Sequence, residues 1–236
     1  MVRRILNILN WEIGGLHEAA FLLAISSLSS QILALLRDRL LAGTFGAGKE
    51  LDIYYASFRI PDLVFISLGS FLAITVLIPL IISKVENNEK EGIQKARKFI
   101  SELMTIFTVF MIFASIIIFF AMPFLAKFIA PGFDKDSLDS LIMLSRILLL
   151  SPFFLGLSNL FGSITQSFKK FFVYALSPIF YNLGIILGVI FFYPIFGLQG
   201  LALGVSLGAF MHFAIQMPAI YRIGMFPFLT TNINFT

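Results

Sequence analysis

The chain contains no cysteine, only two histidines and one tryptophan, and charged residues make up just 13% of its 236 positions. The absence of cysteine excludes disulfides, thiolate metal sites and a cysteine nucleophile. The sequence also has no P-loop, no GxSxG nucleophile elbow, no HExxH zinc motif and no paired histidine and carboxylate. We therefore expect that the chain is not an enzyme and has no metal site, no other cofactor and no nucleic-acid partner.

Apolar residues dominate the composition. Hydrophobic residues make up 58% of the chain, and 29 residues are phenylalanine. Because a soluble domain has about 25% charged residues, this composition indicates an integral membrane protein. Six segments are long enough to cross a bilayer at roughly 20 residues per span; they cover residues 17–43, 53–84, 99–127, 138–168, 171–196 and 198–221. The predicted fold is an all-α, polytopic membrane helical bundle with six transmembrane helices.

Three regions follow from this pattern. Residues 1–16 are amphipathic and are expected to lie at the membrane interface, residues 17–222 form the six-helix lobe, and residues 223–236 begin a linker. No cleavable signal is expected before the first span. One side of the membrane receives ten lysines and arginines and the other side five. The positive-inside rule therefore places both termini in the cytoplasm, and an even number of spans requires that they share a side.

The first segment carries two polar stripes at helical spacing. Ser26, Ser30 and Arg37 form one stripe, and Ser27, Gln31 and Asp38 form the other. Polar groups at membrane depth need partners, so we expect both stripes to face the interior of the bundle. Arg37 lies about six residues from the outer end of the segment, so a side chain that snorkels to the interface is the alternative for this residue alone.

The second segment has a similar polar face around a proline. Pro61 has no N–H to donate, so the carbonyl of Ser57 is released and the helix is expected to bend there. A free carbonyl at this depth needs another helix, a side chain or water as its partner. Arg59 and Asp62 lie on the same face. They are candidates for a functional site, and an internal ion pair that only orders the helix is the alternative.

Polar residues beside prolines continue in the fourth and fifth segments. Arg146 precedes Pro152, and Asn182 follows Pro178 by four residues. Both prolines, like Pro61, are predicted hinges. Asn182 could contact a substrate or join two helices, and we favour the second because interhelical amide hydrogen bonds are common in membranes.

The sixth segment has a ridge of small residues. Gly200, Gly204 and Gly208 recur every four residues, which allows a neighbouring helix to pack closely. His212 continues on the same face and is expected to be packed and hydrogen-bonded, although a single histidine could also relay protons.

Three stretches resemble the MurJ (MviN) lipid II flippases over about residues 15–225. The first, LLRDRLLAGTFGAGKELDIYYASFRIPDL (35–63), has the Arg-Asp step, the Phe-Gly-Ala-Gly turn and the Phe-basic-apolar-Pro signature of the first two helices of that family. The second, RILLLSPFFLGLSNLFGSITQSFKKFFVYALSPIFYNLG (146–184), resembles the fourth and fifth helices. The third, GLQGLALGVSLGAFMHFAIQMPAIYRIG (197–224), resembles the sixth.

The resemblance implies one lobe of a two-lobed transporter of the multidrug/oligosaccharidyl-lipid/polysaccharide exporter superfamily in the plasma membrane. Its substrate would be lipid II or a related polyprenyl-diphosphate sugar, moved from the inner to the outer leaflet by alternating access. Arginines of the family hold the diphosphate, and guanidinium groups suit that role because they bind bidentately. Arg37 and Arg59 would then contact the headgroup, and Arg39 and Arg146 are further candidates. Gln31, Ser30, Asp38, Asp62 and Asn182 would be polar residues of the cavity or of helix packing.

Two departures from the family leave alternatives open. Gln31 stands where the family usually has a second arginine, and Phe65-Ile66 stands where it often has a basic pair. The chain is also short for a flippase of this kind, so we expect either a fragment or a lobe that pairs with a separate partner. The alternative functions are export of another polyprenyl-linked sugar and a membrane scaffold for cell-wall assembly that does not transport. A drug–cation antiporter is disfavoured because the intramembrane charges lean basic.

Overall fold

The computed structural model of the protein describes residues 15–69, 74–85, 89–231 and 233, and every regular element among them is a helix. Most of the predicted interfacial segment, residues 1–16, lies outside this range. The predicted all-α architecture is confirmed.

Five of the described helical stretches are long and apolar enough to cross a membrane. They are His17–Phe45, Glu91–Ile129, Lys135–Ser167, Phe171–Phe196 and Leu198–Ile223. The predicted second span, residues 53–84, is also helical where it is described but is divided into shorter pieces. Five long helices and one divided helix therefore account for the six predicted spans.

The helices are numbered here in chain order. The N-terminal half contains α1 (Leu16–Phe45), α2 (Lys49–Ser57), α3 (Arg59–Val64), a π-helical turn (Phe65–Gly69), α4 (Ile74–Val85) and α5 (Glu89–Ile129). The second half contains α6 (Lys135–Leu148), α7 (Leu150–Ser167), α8 (Phe171–Leu187), a π-helical turn (Gly188–Phe192), α9 (Tyr193–Phe196), α10 (Leu198–Ala214) and α11 (Met217–Ile223).

Two of the three predicted hinge prolines lie close to a helix break. α2 ends at Ser57 and α3 begins at Arg59, just before Pro61, and α6 gives way to α7 at Leu149, just before Pro152. A proline cannot donate to the carbonyl four residues earlier, which weakens the helix over the preceding turn. In contrast, α8 runs through Pro178 without a break. Whether any of the three moves as a hinge stays a prediction.

Glycine determines how closely α8 and α10 approach. A Cβ atom added at Gly204 would collide with the backbone of Gly188, and one added at Gly208 would collide with the carbonyl of Tyr181. Backbone contact of this kind replaces side-chain interdigitation. The predicted packing role of the glycine ridge is confirmed.

The outer surface of the lobe is apolar, as expected for a lipid-facing surface. Along α5, Phe113, Phe120, Phe124 and Phe128 are all exposed. The same helix carries a buried inner face that includes Met111 and Met122. In water such a surface would be a liability, whereas in hydrocarbon it needs no cover.

After α11 the chain continues in an extended conformation along α5. Arg97 donates from Nε to the carbonyl of Phe226 at 2.8 Å, and the backbone N–H of Phe228 donates to the Ser101 hydroxyl at 3.2 Å. One turn further, the N–H of Thr230 donates to the Thr105 hydroxyl at 3.0 Å. The segment is thereby fixed to one side of α5.

Candidate functional site

Arg37 of α1 lies at the contact between α1 and α8. Its Nη1 donates to the side-chain oxygen of Asn182 at 3.0 Å, and its Nε and Nη2 both lie 2.8 Å from one carboxylate oxygen of Asp38. The Arg37 side chain is 23% exposed. Because Arg37 precedes the end of α1 at Phe45 by eight residues, it lies about 12 Å inside the helix end at 1.5 Å per residue. Its charge is therefore held by protein groups at membrane depth.

Asn182 joins α8 to α1. Its side-chain nitrogen donates to the hydroxyl of Ser30 at 3.1 Å, to the backbone carbonyl of Ser30 at 3.3 Å and to the carbonyl of Pro178 at 3.1 Å. Both Ser30 and Asn182 are buried. These bonds join two helices, which is the role that the sequence favoured for Asn182. The amide oxygen in addition accepts a hydrogen bond from Arg37.

Two tyrosines that the sequence did not single out lie beside Arg37. Tyr181 of α8 is within electrostatic range of both Arg37 and Asp62, and it is hydrogen-bonded to Ser151. Tyr54 of α2 is almost fully buried and interacts with Arg37 and Tyr181. Arg37 and Asp62 thus both lie near the Tyr181 hydroxyl. Tyrosine in an apolar segment is a weak sequence signal, because its ring alone often explains its position.

The second polar stripe of α1 does not face the interior of this lobe. Ser27, Gln31 and Asp38 are all exposed, and Gln31 has only a weak contact of 3.5 Å with Ser27. The prediction that both stripes are interior is therefore wrong for this one. A single neighbour, α8, covers one face of α1 only, and the adjacent face stays uncovered.

Arg59 lies in a pocket to which Arg37 does not contribute. The pocket has a volume of about 460 Å³ and lies between α2 and the turn after α5; it is lined by Asp52, Tyr55, Ala56, Arg59, Ile129, Ala130, Gly132 and Phe133. Within the described ranges no ion pair links Arg59 to Asp62, so that alternative is wrong. Arg59 is exposed and lines this pocket, whereas Asp62, one turn further along the helix, lies near Tyr181.

An ion pair links the start of α2 to the turn before α6. Lys49, the first residue of α2, lies 2.8 Å from the carboxylate of Asp134, which also accepts a hydrogen bond from Ser137 at 2.5 Å. The hydrogen bonds from Lys49 and Ser137 lower the pKa of Asp134 below its ordinary value. Both charged side chains are exposed, so the pair is a solvent-screened link between two outer turns.

Arg146 is engaged by another helix. Its Nε donates to the carbonyl of Phe119 at 3.0 Å, and its guanidinium carbon lies 4.4 Å from the centroid of the Phe119 ring. It lines an apolar groove of about 550 Å³ on the lobe surface with residues such as Ile116 and Phe153.

Arg39 is exposed, and two residues of helix rotate it about 200° from Arg37, to the side away from α8. The four predicted arginines therefore do not converge on one point within this lobe.

The carbonyl released by Pro61 has a partner. The hydroxyl of Ser145, on α6, donates to the carbonyl of Ser57 at 3.0 Å, and both residues are completely buried. The sequence predicted that this carbonyl needs a donor but could not identify it, because 88 residues separate the two positions. By the same rule Pro123 releases the carbonyl of Phe119, four residues earlier. The sequence analysis did not consider this proline.

His212 is part of a buried network between α7 and α10. Its Nδ1 lies 2.6 Å from the Ser158 hydroxyl, which also receives a hydrogen bond of 2.6 Å from the Gln216 amide. The expectation of a packed, hydrogen-bonded histidine agrees with this geometry. Among the residues that the structure describes, no group of three or more histidines, cysteines and carboxylates could hold a metal ion.

The apolar helices, the cationic residue held at membrane depth and the uncovered α1 face together define a lobe of a polytopic membrane protein. A family model described as "Lipid II flippase MurJ" matches residues 41–235. The chain belongs to the MurJ lipid II flippase family.

Individual relatives agree with this assignment. A probable lipid II flippase MurJ from Buchnera aphidicola subsp. Schizaphis graminum is 32% identical over 222 residues, which cover 89% of this chain and 41% of the relative. A second one, from the Baizongia pistaciae subspecies, is 33% identical over 219 residues with the same coverage. The chain thus spans about 40% of the length of the curated relatives it matches.

The fold is also found in solved structures. A lipid II flippase MurJ in an inward closed conformation matches with a TM-score of 0.68 and 25% identity, covering 90% of this chain and 44% of that one. A MOP superfamily transporter from Pyrococcus furiosus matches with the same TM-score at 15% identity, which is a likeness of fold alone.

Proposed function

We propose that this chain forms the first of two helical lobes of a flippase that moves lipid II, or a closely related polyprenyl-diphosphate sugar, from the inner to the outer leaflet. Family membership supports the transport class. The second lobe would come from the same polypeptide or from a partner, because one lobe cannot form a two-sided cavity for alternating access. The excess of lysines and arginines on one side supports a plasma-membrane topology with both termini in the cytoplasm.

The position of Arg37 is the observation that carries this proposal. A guanidinium at membrane depth is costly unless it serves a polar site, and Arg37 is held at the edge of the uncovered α1 face. Asp38 and Asn182 fix its orientation while its side chain stays partly accessible. A diphosphate approaching from that face would meet a preoriented fork of N–H donors.

Arg59 is the second headgroup contact in this proposal. It lines the pocket beside α2 and lies ten residues after Lys49, about 15 Å at 1.5 Å per residue, so it would meet the headgroup at a depth similar to that of Arg37. A headgroup contact by Arg39 or Arg146 stays a prediction. Arg39 is exposed on the side of α1 away from α8, and Arg146 already donates to Phe119.

The experiment is complementation followed by a flipping assay. We would fuse this chain to the second lobe of the Buchnera relative, express the fusion in cells depleted of their own lipid II flippase, and assay purified protein in proteoliposomes with labelled lipid II. The fusion should restore growth and flipping. Arg37→Ala should slow flipping by about 10- to 100-fold, the expected effect of losing one charge-assisted hydrogen-bonding group.

Lys127→Ala is the matched control, because it removes an exposed cation from α5 and should leave flipping unchanged. Protein levels in the membrane fraction must be equal among variants. Normal flipping by an Arg37→Ala, Arg59→Ala double variant would contradict the site assignment. A folded fusion that transports neither lipid II nor a related polyprenyl-diphosphate sugar would contradict the substrate assignment.

A further inference from the structure

Two helices of the lobe each contain a proline that releases a backbone carbonyl. Pro61 in α3 leaves the carbonyl of Ser57 without its helical N–H, and Pro123 in α5 does the same for Phe119. No bulk water is available at membrane depth, so each released carbonyl needs a donor from the protein.

Adjacent residues of one helix supply both donors. Ser145 of α6 donates to the carbonyl of Ser57, and Arg146 donates to the carbonyl of Phe119, each at 3.0 Å. Consecutive residues of a helix point about 100° apart, so the pair reaches two different neighbours at the same height. α6 packs against both α2 and α5, which places it between the two helices that carry the released carbonyls.

The surroundings leave little alternative for either carbonyl. Ser57 and Ser145 are completely buried, so solvent cannot replace the hydroxyl. At the other contact the guanidinium also lies over the Phe119 ring, which adds a cation–π interaction to the hydrogen bond. Moving either helix away from α6 would take a carbonyl from its donor, and an acceptor without a partner is strongly penalised where no water can replace the donor.

We propose that Ser145 and Arg146 are positioning residues that couple the proline turns at Pro61 and Pro123, so that α3 and α5 move together with α6 and not independently. This assigns Arg146 a role in conformation and not in substrate contact. Of the measurements that bear on this proposal, only transport by the fusion rests on the proposed function. The stability and distance measurements below do not require that the chain transports anything.

The first test is a set of paired substitutions. Arg146→Met keeps the length of the side chain and removes its donors, and Pro123→Ala restores the N–H that the Phe119 carbonyl lacks. Arg146→Met alone should lower the melting temperature by roughly 2–4 °C in nanodiscs, and at least half of that loss should disappear when Pro123→Ala is present. The same suppression should hold for Ser145→Ala combined with Pro61→Ala.

The crossed pairs provide the specificity control. Pro61→Ala should not rescue Arg146→Met, and Pro123→Ala should not rescue Ser145→Ala, because each proline replacement supplies only its own carbonyl. Ser140→Ala and Lys127→Met, on α6 and α5, should have little effect because neither side chain meets a released carbonyl. Equal rescue by matched and crossed prolines would overturn the proposal.

The second test measures the coupling of the two proline turns directly. The chain has no cysteine, so spin labels can be placed at Leu63→Cys and Phe124→Cys, two exposed positions just past the two prolines. The distance distribution should be narrow in the parent and broader after either Arg146→Met or Ser145→Ala. Distributions that stay narrow in both variants would overturn the coupling, even in a fusion that transports normally. If the fusion fails to transport while the distributions broaden as expected, the proposed function fails and the coupling stands.

Discussion

The side-chain nitrogen of Asn182 donates to the hydroxyl of Ser30 at 3.1 Å, and the opposite side of the same amide accepts from Arg37. One asparagine therefore joins α8 to α1 and orients the cation of α1. Helix packing and the position of the charge depend on the same side chain.

Replacing Asn182 with leucine should destabilise the lobe and loosen Arg37 together. Loss of an interhelical hydrogen bond in a membrane costs about 1–2 kcal/mol, and Arg37 loses one of its two partners. Thermal unfolding in nanodiscs is the measurement. Asn159→Leu on α7, an asparagine that is half-buried, is the control and should change the melting temperature less. Equal losses in the two variants would contradict the joining role.

Gly→Ala substitutions should distinguish a glycine that makes a close backbone contact from one that only lowers helix propensity. Gly204→Ala places a Cβ atom against the backbone of Gly188, whereas Gly43→Ala meets nothing within 4 Å. We expect Gly204→Ala to destabilise by about 1–3 kcal/mol, the usual cost of overpacking. Gly43→Ala should be neutral or stabilising by up to about 1 kcal/mol, because alanine is the better helix former. The measurement is the free energy of unfolding of both variants under identical conditions. A Gly204→Ala protein as stable as the parent would contradict the backbone contact.

The ion pair between Lys49 and Asp134 should contribute stability only above acidic pH. Hydrogen bonds from Lys49 and Ser137 lower the pKa of Asp134 from its ordinary value of 3.8. A lowered carboxyl pKa contributes stability above that ordinary value, and the contribution is lost as the pH falls through the lowered value. The melting temperature of the parent should therefore exceed that of Lys49→Met at neutral pH, and the difference should shrink below about pH 4.

Lys135→Met is the control for this pH dependence, since it removes a neighbouring exposed cation that has no ion pair with Asp134. It should show no comparable change across the same pH series. A difference between the parent and Lys49→Met that stays constant down to about pH 3 would mean that Asp134 does not titrate as proposed.

The parts of the fold that the sequence predicted are those governed by local chemistry. Pro61 identified the released carbonyl of Ser57 through the i−4 rule, and the glycine ridge on α10 identified a close helix contact through its spacing. What could not be predicted was the partner in each case. Ser145 meets Ser57 only because α6 packs against α2 with one particular rotation, and that rotation is set by many apolar contacts across the lobe.

The site was predicted less completely than the fold for a related reason. Helical spacing placed Arg37 on one polar stripe and Gln31 and Asp38 on a neighbouring one. It gave no reason to expect only one of the two stripes to be covered. The structure covers only the first stripe, because α8 is the main neighbour of α1. Periodicity shows which residues share a face, whereas the neighbour of that face depends on the arrangement of the whole bundle.

α1 is attached to the lobe almost entirely through α8, with only a small contact to α2. Leu41, near the end of α1, belongs to one of the two buried apolar clusters, so a tilt of α1 along this seam would pivot close to that residue. Arg37 sits on that seam, so any tilt of α1 displaces the positive charge relative to Asp62 and the tyrosines beside it. The electrostatic environment of the uncovered face is thereby tied to the angle of a single helix.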